Sequence, residues 1–126
     1  MIREQLTINA AAIAIRDAII TNPLSKKKPS KFAAEFNVDR NKVSPAFKKL
    51  TGTTIRRFQL EKLMEVASKM LLSGKSVKEV AIDCGYTDYQ NNFTRSFRKV
   101  FAMGPEEWLR LQVFKKENDP TPKRNH

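Results

Sequence analysis

The chain has 126 residues, enough for one compact domain and too few for two large ones. Its 24 Lys and Arg against 13 Asp and Glu leave a net charge of +11, a field that draws polyanions: nucleic acid first, acidic membranes or acidic proteins second. Cys84 is the single cysteine and His126 the single histidine, so one chain cannot build a disulfide framework, a Cys/His metal site or a histidine-based triad, and no cofactor is implied. The longest apolar run, residues 10–15, is far short of a membrane span, and no signal-peptide pattern appears, so the expectation is an intracellular protein without a membrane partner.

Helical periodicity runs through the chain, whereas hairpin turns and long apolar/polar alternation are missing, so the fold class is all-α with about seven helices. After a lead over residues 1–8, residues 9–20 predict a first helix, with Ile13, the stem of Arg16, Ile19 and Ile20 near one stripe. A basic connector, Lys26 to Ser30, precedes a short helix over 30–36 that Pro29 can open and whose Phe32, Ala33 and Phe36 face inward. Asp39 is a good N-cap for a third helix carrying Val43, Phe47 and Leu50, and Gly52 stops it. Thr53 or Thr54 caps a long helix reaching Ser73-Gly74, and Ser76 with Glu79 forms a capping-box pattern before Val77, Val80 and Ala81. Past the turn at Cys84-Gly85-Tyr86 comes a helix with Phe93, Phe97, Val100 and Phe101 on one side. Pro105 opens a last helix, to about Phe114, with Trp108 and Leu111 inward; residues 115–126 are polar, hold two prolines and read as a disordered tail.

FKKLTGTTIRRF at 47–58 aligns without gaps on FRKVFAMGPEEW at 97–108, pairing Phe47 with Phe97, Gly52 with Ala102 and Phe58 with Trp108. Each window has the order short helix, turn, second helix, the organisation of a helix-turn-helix unit. This divides the chain into a first unit at 9–52, a linker helix at 53–74 and a second unit at 75–114. At about 100° per residue, Asn91, Asn92, Arg95, Arg98 and Lys99 fall opposite the core stripe of the later helix, and no acid occurs between Tyr89 and Ala102. Amides and guanidinium groups pair with base edges, while Arg and Lys farther along hold phosphates. The earlier helix presents Asn41, Lys42, Pro45, Lys48 and Lys49 by the same rule, so Pro45 stands where the second unit has Arg95. A linker helix of about twenty residues spans roughly 30 Å, near one turn of B-DNA at roughly 34 Å.

Pro45 leaves two geometries open. One is a helix from about Asp39 kinked at Pro45, whose missing N–H costs least near a helix start; the other is a loose turn followed by a helix capped at Ser44. The core phase of Val43 favours the first.

Val80-Ala81, Gly85-Tyr86, the run Phe93-Thr94-Arg95-Ser96-Phe97-Arg98-Lys99 and Pro105 resemble the signature of the DNA-binding domain of the AraC/XylS family of bacterial transcription regulators. Phe47-Lys48-Lys49, Gly52 and Ala67 to Leu72 are similar to its first unit and linker. The resemblance implies a seven-helix, two-unit domain that binds double-stranded DNA in two successive major grooves, activates transcription by contacting RNA polymerase, and works at the nucleoid in the cytoplasm, with no small-molecule effector site in this part. Its base-reading positions fall on Asn41, Ser44 and Pro45 in the first helix and on Gln90, Asn91, Asn92 and Arg95 in the second. Phosphate contacts fall to Arg40, Lys42, Lys48, Lys49, Arg98 and Lys99. Three features depart from the family pattern: Phe93 follows Gly85 by eight residues where seven are usual; Ala102 replaces a glycine before the last helix and residue 104 is Gly where Ser or Thr is common; and Lys26 to Pro29 lengthen the connector before the first unit.

Two other function classes compete. Asp83, Asp88, Glu106 and Glu107 are carboxylates without a paired acid and base, a phosphate-cradling loop or a metal cluster, which argues against an enzyme. A basic helical module for RNA or an acidic protein is the alternative; single-strand RNA readers offer aromatic stacking platforms, for which Tyr86 and Tyr89 are the candidates.

Overall fold

In the computed structural model, residues 2–118 are described, and side chains from residue 7. Seven α-helices follow in order: α1 Ile2–Thr21, α2 Pro29–Glu35, α3 Arg40–Thr51, α4 Ile55–Leu72, α5 Val77–Asp83, α6 Thr94–Phe101 and α7 Pro105–Glu117. A single π turn, Tyr89–Phe93, leads into α6. No strand occurs among the described residues. The chain divides into two compact units, residues 1–66 and 67–126, and the division falls inside α4.

In the first unit, α1 packs against α3, and its Ile8, Ala11, Ala12, Ile15 and Ile19 join Phe32, Ala33, Val43, Phe47, Ile55 and Phe58 in one core. This differs from the stripe expected for α1: Ile13 is 42% and Ile20 51% exposed. Residues 10–15 are apolar on nearly every side of the helix, so periodicity could not choose a face; the alanines at 11 and 12, which permit close approach, are the side that packed. Helix α1 also starts at Ile2 rather than Asn9, because Glu4, Gln5 and Leu6 favour helix and no Gly or Pro interrupts the lead. Leu50, expected inward, is 41% exposed, since Val43 and Phe47 lie at the centre of the buried stripe and Leu50 at its flank.

Local signals set the remaining boundaries. Pro29 is buried at the first position of α2. Asn37 takes a left-handed conformation at φ 55°, which Asn tolerates, and turns the chain so that the Val38 N–H reaches the Ala33 carbonyl at 3.0 Å. The Asp39 carboxylate accepts the Asn41 N–H at 2.8 Å and starts α3. Helix α3 runs unbroken through Pro45, so the late start at Ser44 is not adopted. Pro45 is the sixth residue of the helix, beyond the first turn whose N–H groups are free in any case. The lost bond is the one that the Asn41 carbonyl would accept, on an exposed face where water can supply the donor.

The Thr54 hydroxyl accepts the Arg57 N–H at 3.1 Å and begins α4, whose 18 residues span about 27 Å. Gln59 ties the basic connector down by donating to the Lys27 carbonyl at 2.7 Å. In the second unit the capping box is formed: the Glu79 N–H donates to the Ser76 hydroxyl at 3.1 Å and the Ser76 N–H to the Glu79 carboxylate at 3.2 Å. Phe93, Phe97, Phe101 and Trp108 stack in a chain of aromatic contacts, with Phe97 and Trp108 edge to face at 5.7 Å. Helix α7 continues three residues past Phe114 to Glu117, so Lys115 to Glu117 belong to it and not to a disordered tail; no breaker intervenes, and Lys115 and Lys116 suit the negative end of the helix dipole. The rest of that expected tail, 119–126, lies outside the described residues.

The sequence repeat is structural. Gly52 closes α3 at φ 83° with its N–H on the Lys48 carbonyl, and Ala102 closes α6 at φ 64° with its N–H on the Arg98 carbonyl. The same left-handed cap is made twice, once with a residue that pays a steric penalty for it. Ala102→Gly is therefore expected to stabilise the chain by about 1 kcal/mol and Gly52→Ala to destabilise it by about as much, read from urea unfolding midpoints at unchanged slope.

Candidate nucleic-acid interface

The orientation of α3, and of the π turn with α6, is set by two residues four apart that are completely buried: Val43 and Phe47 in the first, Phe93 and Phe97 in the second. Their opposite faces are solvent-exposed. On the first unit these are Arg40, Asn41, Lys42, Pro45, Lys48 and Lys49, with Ser44 half-buried at the flank. On the second they are Gln90, Asn91, Asn92, Arg95, Arg98 and Lys99. All the residues assigned from the sequence to base reading and phosphate binding thus lie on two helical faces, one in each unit, and every one but Ser44 is exposed. No hydrogen bond or ion pair within the described residues engages the Arg95 guanidinium.

The extra residue before Phe93 is absorbed by the π turn. In the first unit the Val43 N–H bonds to the carbonyl of the cap residue Asp39, four residues back, at 2.9 Å. In the second, the Phe93 N–H reaches the carbonyl of its cap residue Asp88, five residues back, at 3.2 Å, and the Thr94 hydroxyl donates to the Tyr89 carbonyl at 3.1 Å across the widened turn. One more residue fits between cap and core while Phe93 keeps its phase with Phe97, their ring centroids 6.0 Å apart. Counted from the cap, Gln90 occupies the place of Asn41; counted from the core, Asn91 does.

Asp88 is a member of this surface that the sequence reading left out. Its carboxylate accepts the Asn91 backbone N–H and, through its other oxygen, the Asn91 side-chain amide, both at 3.1 Å. One of the two amide donors of Asn91 is thereby committed to a carboxylate, leaving its second N–H and its oxygen for other partners. An Asp three residues ahead of an Asn at a helix start was the available signal. Tyr86 is engaged as well: half-buried, its ring packs edge to face on the buried Phe93 at 5.4 Å.

Among the described residues no group of three or more His, Cys, Asp or Glu could hold a metal ion, and no helix is long and apolar enough to cross a membrane.

The fold and its two exposed faces define a helical domain built of two helix-turn-helix units. The family described as a helix-turn-helix domain, of AraC type, matches residues 32–111, and the chain belongs to it. Among relatives, the chain is 32% identical over 87 residues to the virulence regulon transcriptional activator VirF of Yersinia enterocolitica, covering 68% of this chain and 32% of that protein. It is 31% identical over 86 residues to the transcriptional activator RhaS of Pectobacterium atrosepticum, covering 68% and 30% respectively. The chain thus spans about a third of the length of these two relatives. Among solved structures, it is similar in fold to the C-terminal domain of the response regulator AraT from Geobacillus stearothermophilus, at a TM-score of 0.73 and 22% identity over 92% of this chain and 94% of that one. The DNA-binding domain of AdpA, solved with a target DNA, gives 0.68 and 18% over 87% and 97%.

Because Arg95 is exposed and makes no bond to other described residues, Arg95→Ala is expected to leave stability within about 0.5 kcal/mol, checked by urea unfolding. Pro45→Ala restores the bond to the Asn41 carbonyl and should raise stability by about 1–3 kcal/mol in the same assay.

Proposed function

We propose that this chain is the DNA-binding part of a bacterial transcription regulator, reading double-stranded DNA through α3 and through the π turn with α6. The observation that carries this is the pair of exposed helical faces rich in Asn, Arg and Lys, in a chain of the AraC type; no acid occurs from Tyr89 to Ala102, and Asp88 just before that run is bonded to Asn91. Arg95 at the centre of the second face is the base reader of choice, since a guanidinium can pair in two places with guanine; Gln90, Asn91 and Asn92 suit adenine. Pro45 at the matching place in the first unit can touch a thymine methyl or a sugar and cannot donate a hydrogen bond.

The division of labour that follows is unequal. The second unit carries most of the sequence discrimination, and the first anchors the domain through Arg40, Lys42, Lys48 and Lys49 on phosphates. Arg98 and Lys99 play that part in the second unit. Insertion into two successive major grooves, contact with RNA polymerase, activation of transcription and a place at the bacterial nucleoid belong to this same proposal; the relatives VirF and RhaS are named as activators. The chain acts by binding and not by catalysis.

Titration of labelled duplex at several salt concentrations tests the reading. With six to ten phosphate contacts, affinity should fall by roughly 10³ to 10⁵ between 50 and 200 mM salt, and single-stranded RNA should bind more weakly at every point. Equal binding to random single-stranded RNA would make this a general RNA module instead. On duplex selected from a random library, Arg95→Ala should relax discrimination at one base pair by about 1–3 kcal/mol. Base substitutions under the first unit should cost less than those under the second; equal costs would contradict the division.

A further inference from the structure

Beside each reading helix lies a notch, closed on its other side by the start of the helix that follows. In the first unit it measures about 460 Å³ and is lined by Arg40, Ser44 and Lys48 from α3 with Thr54, Ile55 and Arg56 at the start of α4. In the second it measures about 450 Å³ and is lined by Gln90, Thr94 and Arg98 with Gly104, Pro105 and Glu106 at the start of α7, and by Glu107 and Arg110 beyond them. The first six residues of each set correspond one to one at the spacing of the internal repeat. Two copies of one notch have been given different chemistry.

Every charged residue lining the first copy is cationic. Arg40, Lys48 and Arg56 line it with no carboxylate among the lining residues, and within the described residues none of the three head groups is taken up by a hydrogen bond or ion pair. The next residue, Arg57, is different: its guanidinium donates to the Glu61 carboxylate at 3.1 Å. Arginine at the second position of a helix opposes the helix dipole, and no acid occurs in the first turn of α4 to offset it. An anion seated beside Arg56 would offset both.

The second copy balances two arginines, Arg98 and Arg110, against Glu106 and Glu107. The two glutamates stand in the first turn of α7 and already supply the negative charge that its positive end favours. The Arg98 guanidinium lies across the start of that helix, 3.8 Å from where a side-chain carbon on Gly104 would sit. A phosphate entering here meets carboxylates in the place where the first notch offers Arg56.

We propose that Arg56, with Arg40 and Lys48, holds a backbone phosphate of duplex DNA in the first unit's notch, and that Glu106 with Glu107 weakens the hold of Arg98 on a phosphate in the second. The first unit then grips without regard to sequence, and the second depends on its contacts with bases. This rests on the DNA reading above.

The test compares the full chain with Arg56→Gln, Arg57→Gln and Glu106→Arg on a selected duplex and on a random duplex, over a series of salt concentrations, after urea unfolding has shown each variant to be folded. Arg56→Gln should weaken both duplexes by the same factor, roughly five- to tenfold near 100 mM salt, and reduce the slope of log affinity against log salt by about one. Arg57→Gln, the same charge change one residue along, should move the slope by less than half as much. Glu106→Arg should steepen it by about one and tighten both duplexes alike. A slope for Arg56→Gln parallel to the unmodified chain, or a loss confined to one base pair, would overturn the phosphate site while leaving DNA binding standing. An unmodified chain that binds neither duplex in a salt-dependent way would instead remove the DNA reading itself.

Discussion

The surface of each unit depends on a buried pair of side chains one helical turn apart. Val43 with Phe47, and Phe93 with Phe97, are all fully excluded from solvent. Because a helix is rigid about its axis, fixing two residues on one side fixes the direction of every other side chain along it. Burying such a pair contributes several kcal/mol at about 25 cal/mol per Å² of apolar surface, far more than any surface ion pair, so the rotation of the helix is not free to drift. The polar face is as well defined as the core because it is the same object seen from the other side.

The π turn shows how strongly that constraint acts. An added residue between the cap and Phe93 would, in a regular α-helix, turn the core phenylalanine by about 100° away from its neighbours. Instead the backbone widens locally, the Phe93 N–H reaches back five residues to Asp88, and Phe93 stays against Tyr86 and Phe97. The strain of one irregular turn costs less than exposing an aromatic ring. It also changes the surface, since Gln90, Asn91 and Asn92 are re-spaced and Asp88 is drawn onto the Asn91 amide.

The two units share one framework and carry two different surfaces. The framework is kept even where the sequence fits it poorly, as at Ala102, which takes the left-handed cap that Gly52 provides without strain. The surfaces differ at their centres, Pro45 against Arg95, and in their notches, Arg56 against Glu106. Core positions have one solution at each place, whereas exposed positions can be altered without disturbing the fold.

Much of this was legible in the order of residues. Caps at Asp39, Thr54 and Ser76, the Gly52 stop, and the repeat pairing Phe47 with Phe97 are local chemistry, written within a few residues of where they act. Most of the two polar faces followed from periodicity, while Ser44 and Gln90 at their flanks came from the family resemblance. The side of α1 that packs was not legible, because an apolar helix offers several faces and only the shape of α3 selects Ala11, Ala12 and Ile15 over Ile13 and Ile20. Nor was the accommodation of the extra residue, which required the fixed position of Phe93 in the core. The notches, too, join residues from successive helices that no single helical period relates. The sequence by itself determined where the helices begin to form and which residues they carry outward; tertiary packing decided which apolar face was buried, where the backbone gave way, and which exposed charges came together. Caps and periodicities act over one or two turns, while those choices need atoms brought together from separate helices.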